Sequence, residues 1–386
     1  MDNENDNVNS NENSKSFFGD GFFDWQHSGE LQEKLWFEKR YDEDLYWGGF
    51  SRAPFDEKTY VPPDWAISGI RKYECNPILA PSVDGWDRGH YGGGVHNGSV
   101  LKKDGLFYYI YRGEFGLTKE ECTRHATIDY KCDVGIATSP DGIHFDKDRE
   151  HSPILRRGGD ERYSFEDVCV VKNGDTYYMF LNRWDWEDIV NPKICGIYIA
   201  VSKDLFHWEK VGLAFPDATR IHRNGCVLQD PDNAAVRNAD GKFVMYINDG
   251  LVGLSDDLLH WESVEVKRTW PGGEGCLALA DYDGNRPDNI VLFTGGHHTG
   301  HFYAIGEVLL SKRNVLTPVE WLPRPVLYAE DKYLFESGYS LDGKIKVSHW
   351  RDTIFFTGMT RCEDKYLFYY GGSEYYTCLA TADVKG

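Results

Sequence analysis

The residues best suited to proton transfer in this 386-residue chain are two adjacent carboxyls, Glu166-Asp167, and a glycine-framed acid in Gly272-Gly-Glu-Gly-Cys276. A carboxyl buried beside another carboxylate holds its proton near neutral pH, which general acid catalysis requires. The plain alternative is a turn-capping acidic pair ahead of a strand over Val168–Val171. Around Glu274 the glycines let the backbone approach a ligand. Two more carboxyls sit beside glycines: Glu336 in Phe335-Glu-Ser-Gly338, and Asp249 in Asn248-Asp-Gly250, where an ordinary turn is the stronger reading.

These groups need a scaffold, and a repeat supplies it. Ser139-Pro-Asp-Gly-Ile-His-Phe145, Ser202-Lys-Asp-Leu-Phe-His-Trp208 and Ser255-Asp-Asp-Leu-Leu-His-Trp261 share the form S-x-D-[GL]-x-H-[FW]. The Asp and Ser are read as caps of tight turns, the closing Phe or Trp as packing between repeats, and the His as an outer hydrogen-bonding group. An aromatic strand precedes each copy, over Leu106–Arg112, Thr176–Arg183 and Lys242–Asn248, and two more follow, over Asn289–Gly295 and Tyr366–Gly371. The intervals between copies, 63 and 53 residues, suit a four-stranded sheet with its turns. About five such units fit after Asn76, so the spacing predicts an all-β, five-bladed β-propeller over residues 74–386, with site residues gathered at one axial end. Residues 1–16, rich in Asn and nearly free of apolar side chains, are expected to be disordered. Residues 17–73 read as a short helical or irregular lead-in packing on the propeller, with Ser28–Tyr41 its best helix candidate.

Composition narrows the function. With 62 acidic against 42 basic side chains, a formal charge of -20 opposes phosphate backbones and anionic lipid heads, which excludes nucleic acid as a partner. No run of apolar residues reaches the ~18 needed to span a membrane, and the start lacks the layout of a signal peptide. Nine scattered cysteines without a C-x-x-C fit reduced thiols in a cytoplasm, where the sequon Asn97-Gly98-Ser99 would go unused. Aromatics make up 15% of the chain. Most of them suit sheet packing, and Trp184, Trp186 and Trp350 are candidates to stack on a sugar ring.

In order and spacing, the chain resembles glycoside hydrolase family 130, whose members phosphorolyse or hydrolyse β-mannosides on five-bladed propellers. The resemblance runs from about Cys75 to Ala382, through Asn76-Pro-Ile-Leu79, Val95-His-Asn-Gly98, Tyr111-Arg-Gly113, Gly135-Ile-Ala-Thr-Ser-Pro-Asp-Gly142, Glu166-Asp167, Ser202-Lys-Asp-Leu205, Tyr369-Tyr-Gly371 and Leu379-Ala-Thr381. It implies that Asp167 is the general acid, delivering its proton through a hydroxyl of the bound sugar, with Glu166 as its neighbour. Departures matter as much. Val168-Cys169 replaces a Pro-Arg whose arginine holds inorganic phosphate, and Thr294-Gly295-Gly296 replaces a Tyr-His-Gly. Losing fixed donors around a dianion favours water as the nucleophile. An inverting hydrolase then needs a second carboxylate about 6.5 to 9.5 Å from the acid. Glu274 is the first choice for this base, Glu336 the second and Asp249 the third.

Substrate-holding positions implied by the same strand ends are Asn97, Arg112, Arg183, Asp185 and Asn248, with Arg223 or Lys242 as the basic residue expected near Asn224. Glu374 stands where the family places an Asp on the glycone, and Asp352 where it places an Asn. His297-His298 with His301 lack acidic partners in register and read as polar residues lining the funnel, not as a zinc site. The expectation is a cytoplasmic, exo-acting, inverting glycosidase for short β-mannoside-like oligosaccharides, needing no metal or cofactor and open to self-association. A β-mannoside phosphorylase is the alternative within the fold, and a non-catalytic sugar-binding propeller the alternative outside enzymes.

Overall fold

The computed structural model describes residues 59–385, apart from 117–129, 157–162, 186, 249, 267–269, 271–272, 299–300 and 349, and apart from the side chains of 297, 298, 301 and 302. The tail 1–16, the helix candidate Ser28–Tyr41, Trp186, Asp249 and the three histidine side chains therefore lie outside the described residues, and the lead-in is described only from Thr59.

Five four-stranded antiparallel units follow one another, the third and fourth joined through a parallel pairing of their inner strands into one eight-stranded sheet. Blade 1 is β2 (Val95–Lys103), β3 (Leu106–Gly116), β4 (Tyr130–Ser139) and β5 (Asp146–Lys147). Blade 2 is β6 (Tyr163–Asn173), β7 (Thr176–Asp185), β8 (Gly196–Ser202) and β9 (Trp208–Leu213). Blade 3 is β10 (Cys226–Gln229), β11 (Phe243–Ile247), β12 (Leu251–Ser255) and β13 (Trp261–Glu265), and blade 4 is β14 (Glu274–Ala280), β15 (Asn289–His298), β16 (His301–Ser311) and β17 (Glu320–Trp321). Blade 5 takes β18 (Ile354–Cys362), β19 (Lys365–Gly372) and β20 (Tyr376–Asp383) from the end of the chain and β1 (Arg71–Lys72) from its beginning. Strand β2 lies against β6 and β18, β10 against β6 and β14, and β14 against β18, so the inner strands circle a common axis. The five aromatic strands expected from the sequence are the second strands of the five blades.

Packing follows the same order. Each seam between blades holds its own apolar cluster, for example Leu101, Ile110, Val168 and Val170 between blades 1 and 2, and Val100, Tyr109, Leu367 and Tyr369 between blades 1 and 5. Most aromatics sit in these seams, as half-buried strands require. The S-x-D turns form as read: Asp141, Asp204 and Asp257 each accept two backbone N–H groups and face the His three residues on, at 2.7 to 2.8 Å. Trp208 and Trp261 fold back onto the carbonyls of Leu205 and Leu258. Gly142, Leu205 and Leu258 occupy one left-handed position, at φ +74°, +80° and +68°, which explains the Gly of the first copy.

The ring is closed by a buried ion pair. Lys72 Nζ lies 2.5 Å from Glu336 Oε2, with side chains only 4% and 0% exposed, and Tyr370 donates to Glu336 Oε1 at 2.8 Å. Burial pushes the Glu336 carboxyl above its ordinary range, against the pull of Lys72. Removing one partner of a buried pair leaves an uncompensated charge. Lys72→Met should therefore lower unfolding stability by about 3 kcal/mol, with part of the loss regained in Lys72→Met/Glu336→Gln; urea denaturation of the single and double variants measures both.

Candidate active site

One backbone feature recurs where each inner strand meets the axis. Register breaks between His96 and Ser99 in β2, Glu166 and Cys169 in β6, Gly275 and Leu277 in β14, and Phe356 and Gly358 in β18, and β10 begins just after Asn224. A β-bulge bends its strand and re-aims a side chain. Asn97, Asp167 and Thr357 fall inside these breaks, Glu274 is still paired with Gly295 just ahead of the break in its strand, and Asn224 precedes β10, so each blade contributes one residue; Asn97, Asp167 and Asn224 stand at φ +46°, +52° and +51°. Asp167, Asn224 and Thr357 line a single pocket with Val168, Cys169, Gly225, Cys226, Gly275, Cys276 and Phe355.

Asp167 is held by amides and a guanidinium. Asn97 Nδ2 donates to its Oδ1 at 2.9 Å, Arg112 Nη1 reaches the same oxygen at 3.3 Å, and Asn182 Nδ2 donates to Oδ2 at 2.9 Å. Asn182 also accepts from the backbone N–H of Asn224 at 2.8 Å, which ties the acid in blade 2 to blade 3. Arg112 lies among four carboxylates: Glu114 at 2.6 Å, Asp167 at 3.3 Å, Glu166 at 3.5 Å and Glu374 at 3.6 Å. Burial alone would weaken its charge, but Glu114 and Glu166 raise its pKa well above the ordinary arginine value.

The remaining carboxyls differ in their settings. Burial raises Glu166 to about 7, against Arg112 and with help from Asp167, while Trp184 donates its indole N–H to Oε2 at 3.0 Å. Burial would also raise Glu114, yet Arg112, His90 and His96 together hold it below the ordinary carboxylate range. Glu374 sits with Ser373 on the turn between β19 and β20, both at positive φ. Its partners Asn97, His96 and Arg112 all lie at 3.4 Å or beyond, and burial raises its pKa. Glu274 receives Asn248 Nδ2 on Oε1 at 2.7 Å and the Tyr303 hydroxyl on Oε2. Burial raises it, opposed by Arg223 and by these two donors.

The structure thus brings Asn97, Arg112, Glu166, Asp167 and Glu374 into one cluster and places Asn248 and Arg223 around Glu274. Other expected positions fall elsewhere. Arg183 lies on the opposite face of β7 from Asn182, as alternate strand residues must. Its Nε and Nη2 donate to the Ile194 carbonyl, and its plane rests on Tyr163 and Tyr198. Asp185 caps the next turn by accepting the N–H of Glu187 at 3.0 Å. Glu336 closes the ring, its oxygens engaged by Lys72, Tyr370 and the Glu330 N–H. Asp352 accepts from Ser337 at 2.6 Å.

Sequence reasoning passed over Asn182, Asn224, Tyr303, Thr357, His96 and Glu114. For two of them a signal was present: Asn97-Gly-Ser99, Asn224-Gly-Cys226, Glu274-Gly-Cys276 and Thr357-Gly-Met359 form a second repeat, with Asp167-Val-Cys169 its variant. Among the described residues, Asn97 Oδ1, Asn248 Oδ1 and Thr357 Oγ1 are buried without a hydrogen-bond partner. Buried polar groups ordinarily find partners, so these three suit a ligand rich in hydroxyls.

The sequence profile of glycoside hydrolase family 130, described as β-1,4-mannooligosaccharide phosphorylase, matches residues 123–386, more than half of the chain. The chain belongs to glycoside hydrolase family 130. It is accordingly a carbohydrate-active enzyme of a family of mannoside phosphorylases and glycosidases. Similar solved structures include a glycosyl hydrolase from Bacteroides ovatus, at TM-score 0.65 and 22% identity over 84% of this chain and 96% of that one. Another, from work on family 130 glycoside hydrolases that target β-1,2-mannosidic linkages in Candida mannan, matches at TM-score 0.66 and 22% identity over 84% and 96%. The β-1,2-mannobiose phosphorylase from Listeria innocua matches at TM-score 0.59 and 17% identity over 82% and 97%. At such identities these likenesses speak to the shared fold.

With a pKa of about 7 in the fold, Glu166 binds more protons in the native than in the unfolded state between about pH 4.5 and 7. Its contribution to stability is therefore complete below the unfolded value and is lost as pH rises through the folded one. Against Glu166→Gln, the wild type should lose relative stability across that window; denaturant unfolding at pH 5, 6, 7 and 8 measures the slope.

Proposed function

We propose that this chain is an exo-acting, inverting glycosidase for short β-mannoside-like oligosaccharides. The observation that carries the reading is the presence of two carboxyls on the inner strands of blades 2 and 4, Asp167 inside the bulge of β6 and Glu274 at the start of β14, each held by its own donors. Asp167 gives its proton to the glycosidic oxygen through a hydroxyl of the bound sugar as the bond from that oxygen to the anomeric carbon breaks. Glu274 takes a proton from the water that attacks the same carbon from the opposite face. Glu166, which burial leaves able to hold a proton near neutrality, keeps a second exchangeable proton beside Asp167. The orphaned Asn97, Asn248 and Thr357 atoms take sugar hydroxyls.

Water is favoured over phosphate on electrostatic grounds. A bound dianion needs several cations with unengaged donors. Arg112 is surrounded by four carboxylates, and Val168-Cys169 stand where the resemblance leads one to expect Pro-Arg. Phosphorolysis is the second reading, supported by the family description and by Arg223 beside Glu274.

Purified protein incubated with β-1,2- and β-1,4-mannobiose should release mannose at the same rate with and without phosphate. Mannose 1-phosphate formed only with phosphate overturns the hydrolase reading. Asp167→Asn should lower kcat by about a thousandfold while retaining mannobiose binding; a wild type that binds but cleaves neither disaccharide would instead mark a binding module.

A further inference from the structure

Glu274 is held by two groups, Tyr303, which has no other assigned part in the reaction, and Asn248, whose amide nitrogen is engaged here while its oxygen is left for substrate. Tyr303 comes from β16 of the same blade, and its hydroxyl donates to Glu274 Oε2. Asn248 follows β11 in blade 3, and its amide donates to Glu274 Oε1 at 2.7 Å. The carboxylate is thus gripped from both sides of a blade seam, and its own strand is bulged one residue later, between Gly275 and Leu277. The Tyr303 ring packs beside Phe355 of β18, with centroids 5.9 Å apart, so the hydroxyl is carried by a ring with little freedom to turn.

We propose that Tyr303 is the positioning residue of the base, orienting Glu274 toward the attacking water and favouring its ionised form, with Asn248 as the second clamp. This rests on the reading of Glu274 as the base. A hydrogen bond to an ionised carboxylate stabilises that form, and one donor per oxygen leaves each oxygen a lone pair for water. Toward an ionised Glu274, Tyr303 acts as the donor: burial and then the neighbouring Glu274 charge push its phenol well above the ordinary value, so it keeps its proton throughout the working range. The other groups acting on Glu274 are Arg223, which favours its charge, and Asp167, which opposes it; Cys276 and Glu374 act on the tyrosine. Neither Tyr303 nor Asn248 transfers a proton. In hydrolysis the water proton moves to Glu274 as the oxygen bonds to the anomeric carbon, and the leaving group takes its proton from the acid.

The test is the pH dependence of kcat/KM for mannose release from β-1,2- or β-1,4-mannobiose by full-length Tyr303→Phe, with Asn248→Ser as the second variant. Loss of the hydroxyl should move the acidic limb upward by about one pH unit, lower kcat about tenfold below that limb, recover much of the rate above it, and leave KM within about threefold. Asn248→Ser should move the limb in the same direction, although its KM will also respond if Asn248 touches sugar. An acidic limb unchanged in both variants, or a rate lost equally at every pH, overturns the proposal, because a merely structural tyrosine would lower activity without moving the limb. Glu274→Gln separates the two layers. If Glu274→Gln turns over like the wild type, the base assignment itself fails; if it is inactive while Tyr303→Phe keeps the wild-type limb, only the positioning role fails.

Discussion

The site depends on a backbone constraint: the inner strands β2, β6 and β18 leave their ladders at Asn97, Asp167 and Thr357. At Asn97, Asp167 and Asn224 the backbone is left-handed, a conformation that costs a non-glycine residue of order 1 kcal/mol or more and that Asn and Asp tolerate best. The chain therefore places Asp167, and the amide-bearing residues Asn97 and Asn224 of the neighbouring blades, at residue types suited to the strain. Glycine follows at Gly98, Gly225, Gly275 and Gly358, where the inner strands crowd; a side chain at Gly98 would strike the Ile110 carbonyl.

Electrostatics then sorts equivalent positions into different roles. Five carboxyls stand around two arginines, and no single solvent exposure would explain their differences. Glu114 is driven down by a guanidinium and two imidazoles, Glu166 is driven up by burial, and Glu274 is raised by burial against two hydrogen-bond donors and Arg223. Environments that separate the proton affinities of neighbouring carboxyls are how acid and base functions are divided within one site. Arg112 serves as the hub that makes such crowding tolerable, and its enclosure limits its use as a phosphate ligand.

The architecture was legible because its signals are local. The S-x-D turns, the aromatic second strands and their spacing gave the blade count, and the seams absorbed the aromatic surplus. The carboxyl pair and Glu274 were legible through flanking residues and family likeness. What escaped were residues defined by partners far along the chain: Asn182 meets Asn224 across 42 positions, and Tyr303 meets Glu274 across 29. Strand alternation misled at Arg183, since one step from Asn182 reverses the face and turns the guanidinium to Ile194. Asn224 and Thr357 were hidden in a three-residue repeat too short to stand out until the bulges aligned it.

The most direct measurement of the central claim is the fate of the anomeric carbon. With β-mannobiose in phosphate buffer made with ¹⁸O-labelled water, proton NMR and mass spectrometry should show α-mannose as the first-formed anomer, carrying one labelled oxygen at its anomeric position. First-formed β-mannose carrying the label, or an unlabelled mannose 1-phosphate as the initial product, would contradict inversion by water under Asp167 and Glu274.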